Sequence, residues 1–345
     1  MRKLFSLLTI ICLVGAVTAQ EYTLVWNEDF TEESLDRNVW NVEVNADGGG
    51  NNELQYYCEE GVALGVEPTS GKHCLILTAT KQSDGGRDCT SGRVNTKEKM
   101  YYTFGRIDAR IKFPNTANGL WPAFWQMGNN YGQVGWPRCG ETDIIELGHQ
   151  DAFRTGTQDR YFNGAMHVGS KWDAVWSDAQ SVTWPYSVED TFHIVTMIWT
   201  PTSIDMYMDK DSHPENEAYF HADLEPNDNA DYNRQLVFGK PNFIIANLAV
   251  GGNFPGIFTV NQITAFNSGS KSMYIDWIRI YQRGDANQSF VCPSASDPIE
   301  PEGTQDVVTA ISERIESNGE KILRDGQLFI RRGEHMYTIT GSLIR

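Results

Sequence analysis

The stretch Phe104-Gly-Arg-Ile-Asp-Ala-Arg-Ile-Lys-Phe113 alternates apolar and charged side chains along most of its length. Successive side chains of a β-strand point to opposite faces, so residues two apart share a face. The apolar face holds Ile107, Ala109, Ile111 and Phe113, and the polar face holds Arg106, Asp108, Arg110 and Lys112. The pattern predicts a strand with one face in a core and the other toward water.

Further segments extend this β pattern in both directions along the chain. Residues 204–209 alternate in the same way and follow the β-rich run 192–200, which predicts a hairpin. Residues 75–80, 243–250 and 273–281 are apolar at successive positions and predict central strands covered on both faces. No long helical period precedes residue 300, so we predict an all-β sandwich of two sheets.

Composition and charge exclude some classes of partner. The chain has 345 residues, of which 40% are hydrophobic, enough for a buried core. Its 28 Lys and Arg against 45 Asp and Glu give a formal net charge of −17. Such a charge repels phosphate backbones and anionic lipid, so we expect no nucleic-acid partner and no membrane-surface binding.

The first 19 residues, MRKLFSLLTIICLVGAVTA, have the pattern of a signal peptide. A charged start is followed by a short apolar run and by small residues before Gln20. The run is too short to cross a bilayer, and no later segment is long and apolar enough to do so. We therefore expect an exported protein, secreted or at the cell surface.

The remainder divides into a large β domain, a linker and a short tail. The domain is predicted over residues 20–284, and the Pro-, Ser- and acid-rich stretch that follows predicts a linker over 285–305. The tail, 306–345, has turn signals such as Asp325-Gly326 between short apolar runs. It resembles the C-terminal sorting tails of exported Bacteroidota proteins.

Three carboxylates lie within six residues in the segment Gly140-Glu-Thr-Asp-Ile-Ile-Glu146. Glu141 and Asp143 share a face of a strand, whereas Glu146 would point to the opposite face if the strand were regular. One extra residue at Ile144–Ile145, a β-bulge, would bring Glu146 onto the same face. Like charges on one face repel, so a purely structural strand rarely carries three of them.

With that bulge, the Cα atoms of the two glutamates lie roughly 13 Å apart, at about 3.3 Å per residue. Their carboxyl groups can then approach to about 5–6 Å, the separation that a retaining glycosidase uses. One carboxylate attacks the anomeric carbon while the other protonates the leaving oxygen. Spacing alone leaves three interpretations open: a catalytic pair, a divalent-cation site and a solvated acidic edge.

The segment resembles the E-x-D-x-x-E signature of glycoside hydrolase family 16 in its bulged, laminarinase-like form. Other motifs match that family in order: residues 51–57 (NNELQYY), 90–93 (TSGR), 105–110 (GRIDAR), 119–125 (GLWPAFW), 164–167 (GAMH), 247–253 (NLAVGGN) and 274–281 (YIDWIRIY). The resemblance covers residues 22–282. It implies a concanavalin A-like β-jelly-roll sandwich with a concave substrate cleft. It also implies that Glu141 is the nucleophile, Glu146 the general acid/base and Asp143 the helper between them.

The resemblance also implies a set of substrate-binding residues: Asn52, Arg93, Trp121, Trp125, Trp136 and His167. Tryptophan rings stack on the apolar faces of sugars, and Trp136 precedes the acidic strand as a platform would. His167 matches a cleft histidine near the acid/base, and Asn52 and Arg93 match groups that bind sugar hydroxyls. The alternatives are a tryptophan pair that belongs to the core and a histidine that is a structural donor.

A calcium site is a further implication of the resemblance. Glu28 and Asp276 occupy positions at which relatives bind Ca²⁺, and carboxylate oxygens suit this hard cation. The alternative is that both are ordinary surface acids. No cofactor is expected to be required for the reaction, so any calcium would be structural.

These features together predict a secreted, monomeric, retaining endo-β-glucanase. Its expected substrate is β-1,3-glucan (laminarin) or mixed-linkage β-1,3/1,4-glucan. A neutral polymer is compatible with the strong negative charge of the protein, and this disfavours anionic galactans. The competing hypotheses are a non-catalytic β-glucan-binding protein on the same fold, a family 16 enzyme for another polysaccharide of the galactan type, and a metal-dependent hydrolase.

Overall fold

The computed structural model describes residues 21–292 and, further along the chain, four strand segments of the tail. The predicted signal peptide and residues 293–305 of the predicted linker lie outside the described residues. Within the described residues, no helix is both long and apolar enough to cross a membrane.

Strands dominate residues 21–292, and the helices there are short. In chain order the strands are β1 (Thr23–Glu28), β2 (Asn41–Val42), β3 (Tyr56–Tyr57), β4 (Val62–Val66), β5 (His73–Ala79), β6 (Thr90–Ser91), β7 (Arg93–Asn95), β8 (Tyr101–Thr103), β9 (Gly105–Lys112), β10 (Leu120–Gly128), β11 (Glu141–Leu147), β12 (Tyr161–Lys171), β13 (Ala174–Thr183), β14 (Phe192–Trp199), β15 (Ser203–Met208), β16 (Phe220–Asp223), β17 (Asn242–Val250), β18 (Lys271–Gln282) and β19 (Ser289–Val291). The α-helices described there are α1 (Tyr131–Val134), α2 (Gln150–Thr155) and α3 (Arg234–Val237). Turns of 3-10 helix span Gly48–Gly50, Glu59–Gly61, Ala230–Tyr232, Val260–Gln262 and Thr264–Ser268.

Two antiparallel sheets account for most of these strands. The first sheet has the order β16-β15-β14-β9-β18-β5-β4, with β1 paired to β18. The second sheet has the order β13-β12-β11-β10-β17-β7-β2, with β8 paired to β17 and β19 paired to β8. Short β3 and β6 pair in parallel outside both sheets. The predicted all-β sandwich is confirmed.

Strand β9 lies at the centre of the first sheet, between β14 and β18. Ile107, Ala109 and Ile111 are fully buried, as the alternation predicts. The opposite face is half-buried except for Asp108, which is buried between Arg106 at 2.8 Å and the hydroxyl of Thr196 at 2.7 Å. The period of two therefore places the core face correctly, and ion pairing explains the one buried acid on the other face.

The core forms where the inner faces of the two sheets meet. Ile107 and Ile278 from the first sheet belong to one apolar cluster with Phe124, Ile144 and Leu248 from the second. Burying each such side chain stabilises the fold by roughly 1.5–3 kcal/mol before entropy is counted. This packing determines which side of the second sheet is left to face outward.

The predicted central strands are confirmed in position but not all in burial. Strand β17 is buried at all nine residues, as the apolar run 243–250 predicts. Strands β5 and β18 also lie inside their sheet, yet the outer face of β18 is half-exposed at Tyr274, Trp277 and Tyr281. Tyrosine and tryptophan carry polar groups that tolerate water, so an aromatic run does not require cover on both faces.

The predicted hairpin is confirmed, since β14 pairs antiparallel with β15. The segment that connects β11 to β12 contains helix α2. The helix begins where the His149 side chain accepts a hydrogen bond from the Asp151 amide at 3.2 Å, and it ends at Gly156 in the left-handed conformation.

The large domain extends further than the sequence predicts. Strand β19 lies inside the predicted linker 285–305, yet it pairs with β8 and so belongs to the second sheet. A separate unit follows from residue 296. Its described strands, β20 (Glu320–Arg324), β21 (Gln327–Arg332), β22 (His335–Thr338) and β23 (Leu343–Ile344), form one antiparallel sheet in that order.

Candidate active site

The predicted β-bulge is present in β11. On the neighbouring strand β12, Ala165 lies opposite Asp143 and Asn163 lies opposite Glu146. Three steps along β11 therefore match two steps along β12, and the extra residue falls at Ile144–Ile145. Strand β10 shows the same shift against β11 on its other side. Because of this extra residue, Glu146 points to the same face of β11 as Glu141 and Asp143, although it follows Glu141 by five positions.

Each carboxylate oxygen of Glu146 accepts one hydrogen bond. The indole Nε1 of Trp121 donates to Oε1 at 2.8 Å, and the amide Nδ2 of Asn163 donates to Oε2 at 2.9 Å. Glu146 is 7% exposed. The side chain is thus held in one orientation by donors from both adjacent strands.

Asp143 and Glu141 lie beside His167 on β12. His167 Nε2 is 3.1 Å from Asp143 Oδ2, and its Nδ1 is hydrogen-bonded to Ser177 Oγ at 2.7 Å. The strand register places His167 opposite Glu141. His167 is close enough to influence the charge of Glu146, as expected of a histidine near the acid/base, while the position directly opposite Glu146 belongs to Asn163.

Burial raises the pKa of all three carboxyl groups. It raises the pKa of Glu141 to about 8, with a further increase from the charge of Asp143. It raises the pKa of Asp143 to about 8 as well. The pKa of Glu146 is raised by burial and then by Asp143, while its two hydrogen-bond donors oppose the increase. A cluster of this kind holds protons near neutral pH, as a general acid requires.

The same cluster has the dimensions of a cation site. Glu141, Asp143 and His167 each offer one ligand atom, and these atoms lie within 4.8 Å of one another. In the structure, however, His167 Nε2 is already within hydrogen-bond distance of Asp143. A metal-ion role at this place therefore needs a direct test.

The two tryptophans of β10 have different surroundings. The Trp121 ring stacks on Phe254, with centroids 4.6 Å apart and planes 12° apart, and Trp121 is 9% exposed. Trp125 is half-buried, and its Nε1 donates to Asn247 Oδ1 at 2.7 Å. The cover by Phe254 favours the alternative in which Trp121 packs within the protein, whereas sugar stacking by these tryptophans stays a prediction.

Arg93 lies against Trp125 in this part of the sheet. Its guanidinium carbon is 4.9 Å from the Trp125 ring centroid and 5.8 Å from that of Tyr57. Its Nε is 2.9 Å from Glu43 Oε1. Both ring and guanidinium are thus kept in place beside the acidic strand, since Trp125 lies directly opposite Asp143.

The remaining predicted substrate-binding residues, Trp136 and Asn52, are both exposed. Trp136 is 37% exposed and lies near enough to Glu141 to lower the pKa of that carboxyl group slightly. Asn52 is exposed, and its Nδ2 donates to Asn253 Oδ1 at 2.9 Å. The structure therefore connects Trp136 directly to the acidic cluster, whereas Asn52 contacts a loop that follows β17.

The two predicted calcium ligands lie on the first sheet, away from β11. Glu28 accepts hydrogen bonds from the Trp40 indole at 3.0 Å and the Phe30 amide at 3.2 Å, and burial raises its pKa. Asp276 is paired with the guanidinium of Arg110. Both carboxylates are therefore engaged by partners within the protein, as ordinary structural acids are, and calcium binding here stays a prediction.

Sequence reasoning missed two residues that contact the site. Asn163 lies four residues before His167 on one strand, so the period of two could have placed both on one face. Phe254 carries no such signal, because it lies in a loop between β17 and the turn at Val260.

With this geometry established, comparison with known proteins assigns the family. The model for glycosyl hydrolases family 16 matches residues 51–222. The chain is 30% identical over 270 residues to the beta-glucanase of Rhodothermus marinus, covering 76% of this chain and 86% of that protein. The chain belongs to glycosyl hydrolase family 16.

Two further relatives are informative. The chain is 30% identical over 277 residues to glucan endo-1,3-beta-glucosidase A1 of Niallia circulans, covering 75% of this chain but 38% of that longer protein. A solved Bacteroides ovatus family 16 structure, from a mixed-linkage glucan utilisation locus and bound to a product oligosaccharide, has 33% identity and a TM-score of 0.64. The match covers 74% of this chain and 100% of the Bacteroides ovatus chain. The predicted jelly-roll family and its glycoside hydrolase class are confirmed.

Proposed function

We propose that this protein is a retaining endo-β-glucanase that cuts internal bonds of β-1,3-glucan or mixed-linkage β-1,3/1,4-glucan. The observation that carries the proposal is the bulge in β11. It places Glu146 beside Asn163 and Asp143 beside His167, which lie on one face of β12, so the acidic residues share a face. The relatives named for both linkages support either glucan as substrate.

In the proposed mechanism, Glu141 attacks the anomeric carbon while Glu146 protonates the leaving glycosidic oxygen. Glu146 then removes a proton from water, which hydrolyses the glycosyl-enzyme. The charge of His167 favours ionisation of Glu141, and Glu141 in turn favours the charged form of Arg93. Glu146 is the more enclosed of the two, and both of its carboxyl oxygens are held by hydrogen bonds, so we assign it the role of proton donor.

The test compares purified native protein with Glu141→Gln and Glu146→Gln. We expect each variant to lose at least about a thousandfold in kcat on laminarin, because nucleophile and general acid each contribute factors of this order. Binding to insoluble glucan should persist. Glu59→Gln, an exposed acid paired with Arg37, is the control and should keep native turnover. Near-native turnover in either active-site variant contradicts the proposed roles.

Substrate, stereochemistry and metal dependence are tested with the native protein. Digests of laminarin, barley glucan, lichenan and agarose run side by side should give oligosaccharides from the glucans. NMR of the first product should show retained configuration. Turnover in EDTA should be unchanged, whereas a metal-dependent hydrolase would lose it. Release from agarose alone, or an inverted first product, contradicts the proposal.

Export and a monomeric state complete the proposal. They are supported by the pattern of residues 1–19 and by the lack of any required partner in the proposed mechanism. N-terminal sequencing of protein from the growth medium should give a start near Gln20. Recovery only from the cytosol, with Met1 retained, contradicts export, and a larger mass in light scattering contradicts the monomer.

A further inference from the structure

The indole of Trp121 makes two well-defined contacts. Its Nε1 donates to Glu146 Oε1 at 2.8 Å, and its ring lies nearly parallel to Phe254. The N–H is therefore engaged by a carboxylate and one ring face is covered by another aromatic ring. Little of this side chain is left to contact a sugar.

Phe254 is itself held by neighbours on the α2 side of the sheet. The edge of its ring meets His149, with centroids 4.9 Å apart and planes 76° apart. Its carbonyl accepts a hydrogen bond from the Gln150 amide at 3.0 Å. Phe254, the stacking partner of Trp121, is thus held in place by His149 and Gln150 at the start of α2.

We propose that Trp121 is a positioning residue for Glu146. The Phe254 stack fixes the indole, and the indole fixes one carboxyl oxygen of Glu146 while Asn163 fixes the other. This inference deepens the proposed function, on which the role of Glu146 rests. It replaces the sugar-stacking role that the sequence predicts for Trp121.

The charged and titratable groups that face Glu146 determine what loss of this contact does. Asp143 raises its pKa, and Glu141 carries a like charge on the same strand. His167 lowers it, as do the hydrogen bonds from Trp121 and Asn163. Removing the indole N–H therefore raises the pKa of Glu146 further. A general acid with a higher pKa stays protonated to higher pH.

The decisive variant is Trp121→Phe, which keeps an aromatic ring against Phe254 and removes only the N–H donor. We expect kcat to fall about tenfold with KM within twofold, as for a group that acts on the acid and not on the substrate. The alkaline limb of kcat/KM should move to higher pH. Carbon-13 NMR of glutamate-labelled protein, with Glu146 assigned through Glu146→Gln, should show its titration shifted upward by at least half a pH unit.

Trp40→Phe is a matched control. Trp40 also donates its indole N–H to a glutamate, the half-buried Glu28 of β1 in the first sheet, at 3.0 Å. We expect this variant to lose stability while the alkaline limb and the Glu146 titration stay in place. A shift of the same size in Trp40→Phe would show a general effect of the substitution and overturn the inference.

The outcomes separate this inference from the proposed function. A folded Trp121→Phe with native titration of Glu146, or with raised KM and native kcat, overturns the positioning role. If that variant does not fold, Phe254→Ala decides, since it leaves the indole but removes its stack; native kcat and native titration there also overturn it. If the native protein cuts no glucan, the proposed function fails, and the NMR titration still decides whether Trp121 controls Glu146.

Discussion

Glu141, Asp143 and Glu146 hold their protons far above the usual range for carboxyl groups. Burial is the largest cause for each, and their mutual repulsion adds to it for the two glutamates. For Glu141, the folded pKa of about 8 lies above the value of about 4.5 for the free side chain. The folded state therefore binds more protons than the unfolded state between these values, and stability falls as pH rises through this window.

Glu141→Gln should consequently stabilise the protein at alkaline pH. At pH 4 both the carboxylic acid and the amide are neutral, so the melting temperature should change little. At pH 8 the native Glu141 is partly ionised within the folded protein, which lowers the free energy of unfolding. The glutamine variant avoids this loss, which we expect to be about 1–3 kcal/mol. Thermal melts at both pH values measure this, and a variant no more stable than the native protein at pH 8 contradicts it.

At the scale of one element, the bulge in β11 decides where Glu146 points. Ile144 and Ile145 are both fully buried, although residues of a regular strand alternate between faces. The backbone carbonyl of Ile144 accepts a hydrogen bond from the Tyr219 hydroxyl, which stabilises the bulged conformation. The extra residue thus has a partner of its own in the core.

Deleting Ile144 should leave measurable activity, because the shortened segment places both glutamates on one face of a regular strand. Deleting Thr142 should abolish activity, because Glu141 then faces away from Asp143. Both deletions remove one buried residue from β11 and control for each other. We expect kcat/KM at or above about 1% of native for the first and below about 0.01% for the second, since general acid catalysis alone contributes 10²–10⁴. If both deletion variants fold and lose kcat/KM equally, activity does not depend on which face of β11 the glutamates occupy.

At the scale of the molecule, every contact described for the site comes from the unit that precedes residue 296. The strands of the tail form a sheet of their own. A chain that ends at Ala295 should therefore keep kcat/KM on laminarin within twofold of the full chain. Assays of both forms at equal concentration measure this, and a loss of tenfold or more would show that the tail supports the site.

Much of this site could be predicted from sequence because its key patterns are local. The spacing of Glu141, Asp143 and Glu146 places them on one face only if the strand contains a bulge. The alternation in 104–113 predicts a strand with one buried face. The neighbours of each carboxylate could not be predicted in this way. Asn163 and not His167 lies opposite Glu146, since that depends on the register between β11 and β12.

The two-sheet architecture, the acidic strand and its bulge follow from side-chain periodicity, which is a property of consecutive residues. The cover of Trp121 by Phe254, the hydrogen bond from Trp121 to Glu146 and the addition of β19 to the second sheet do not follow from periodicity. Those contacts join residues far apart in the chain, and they depend on how strands pair and loops pack once the core has formed.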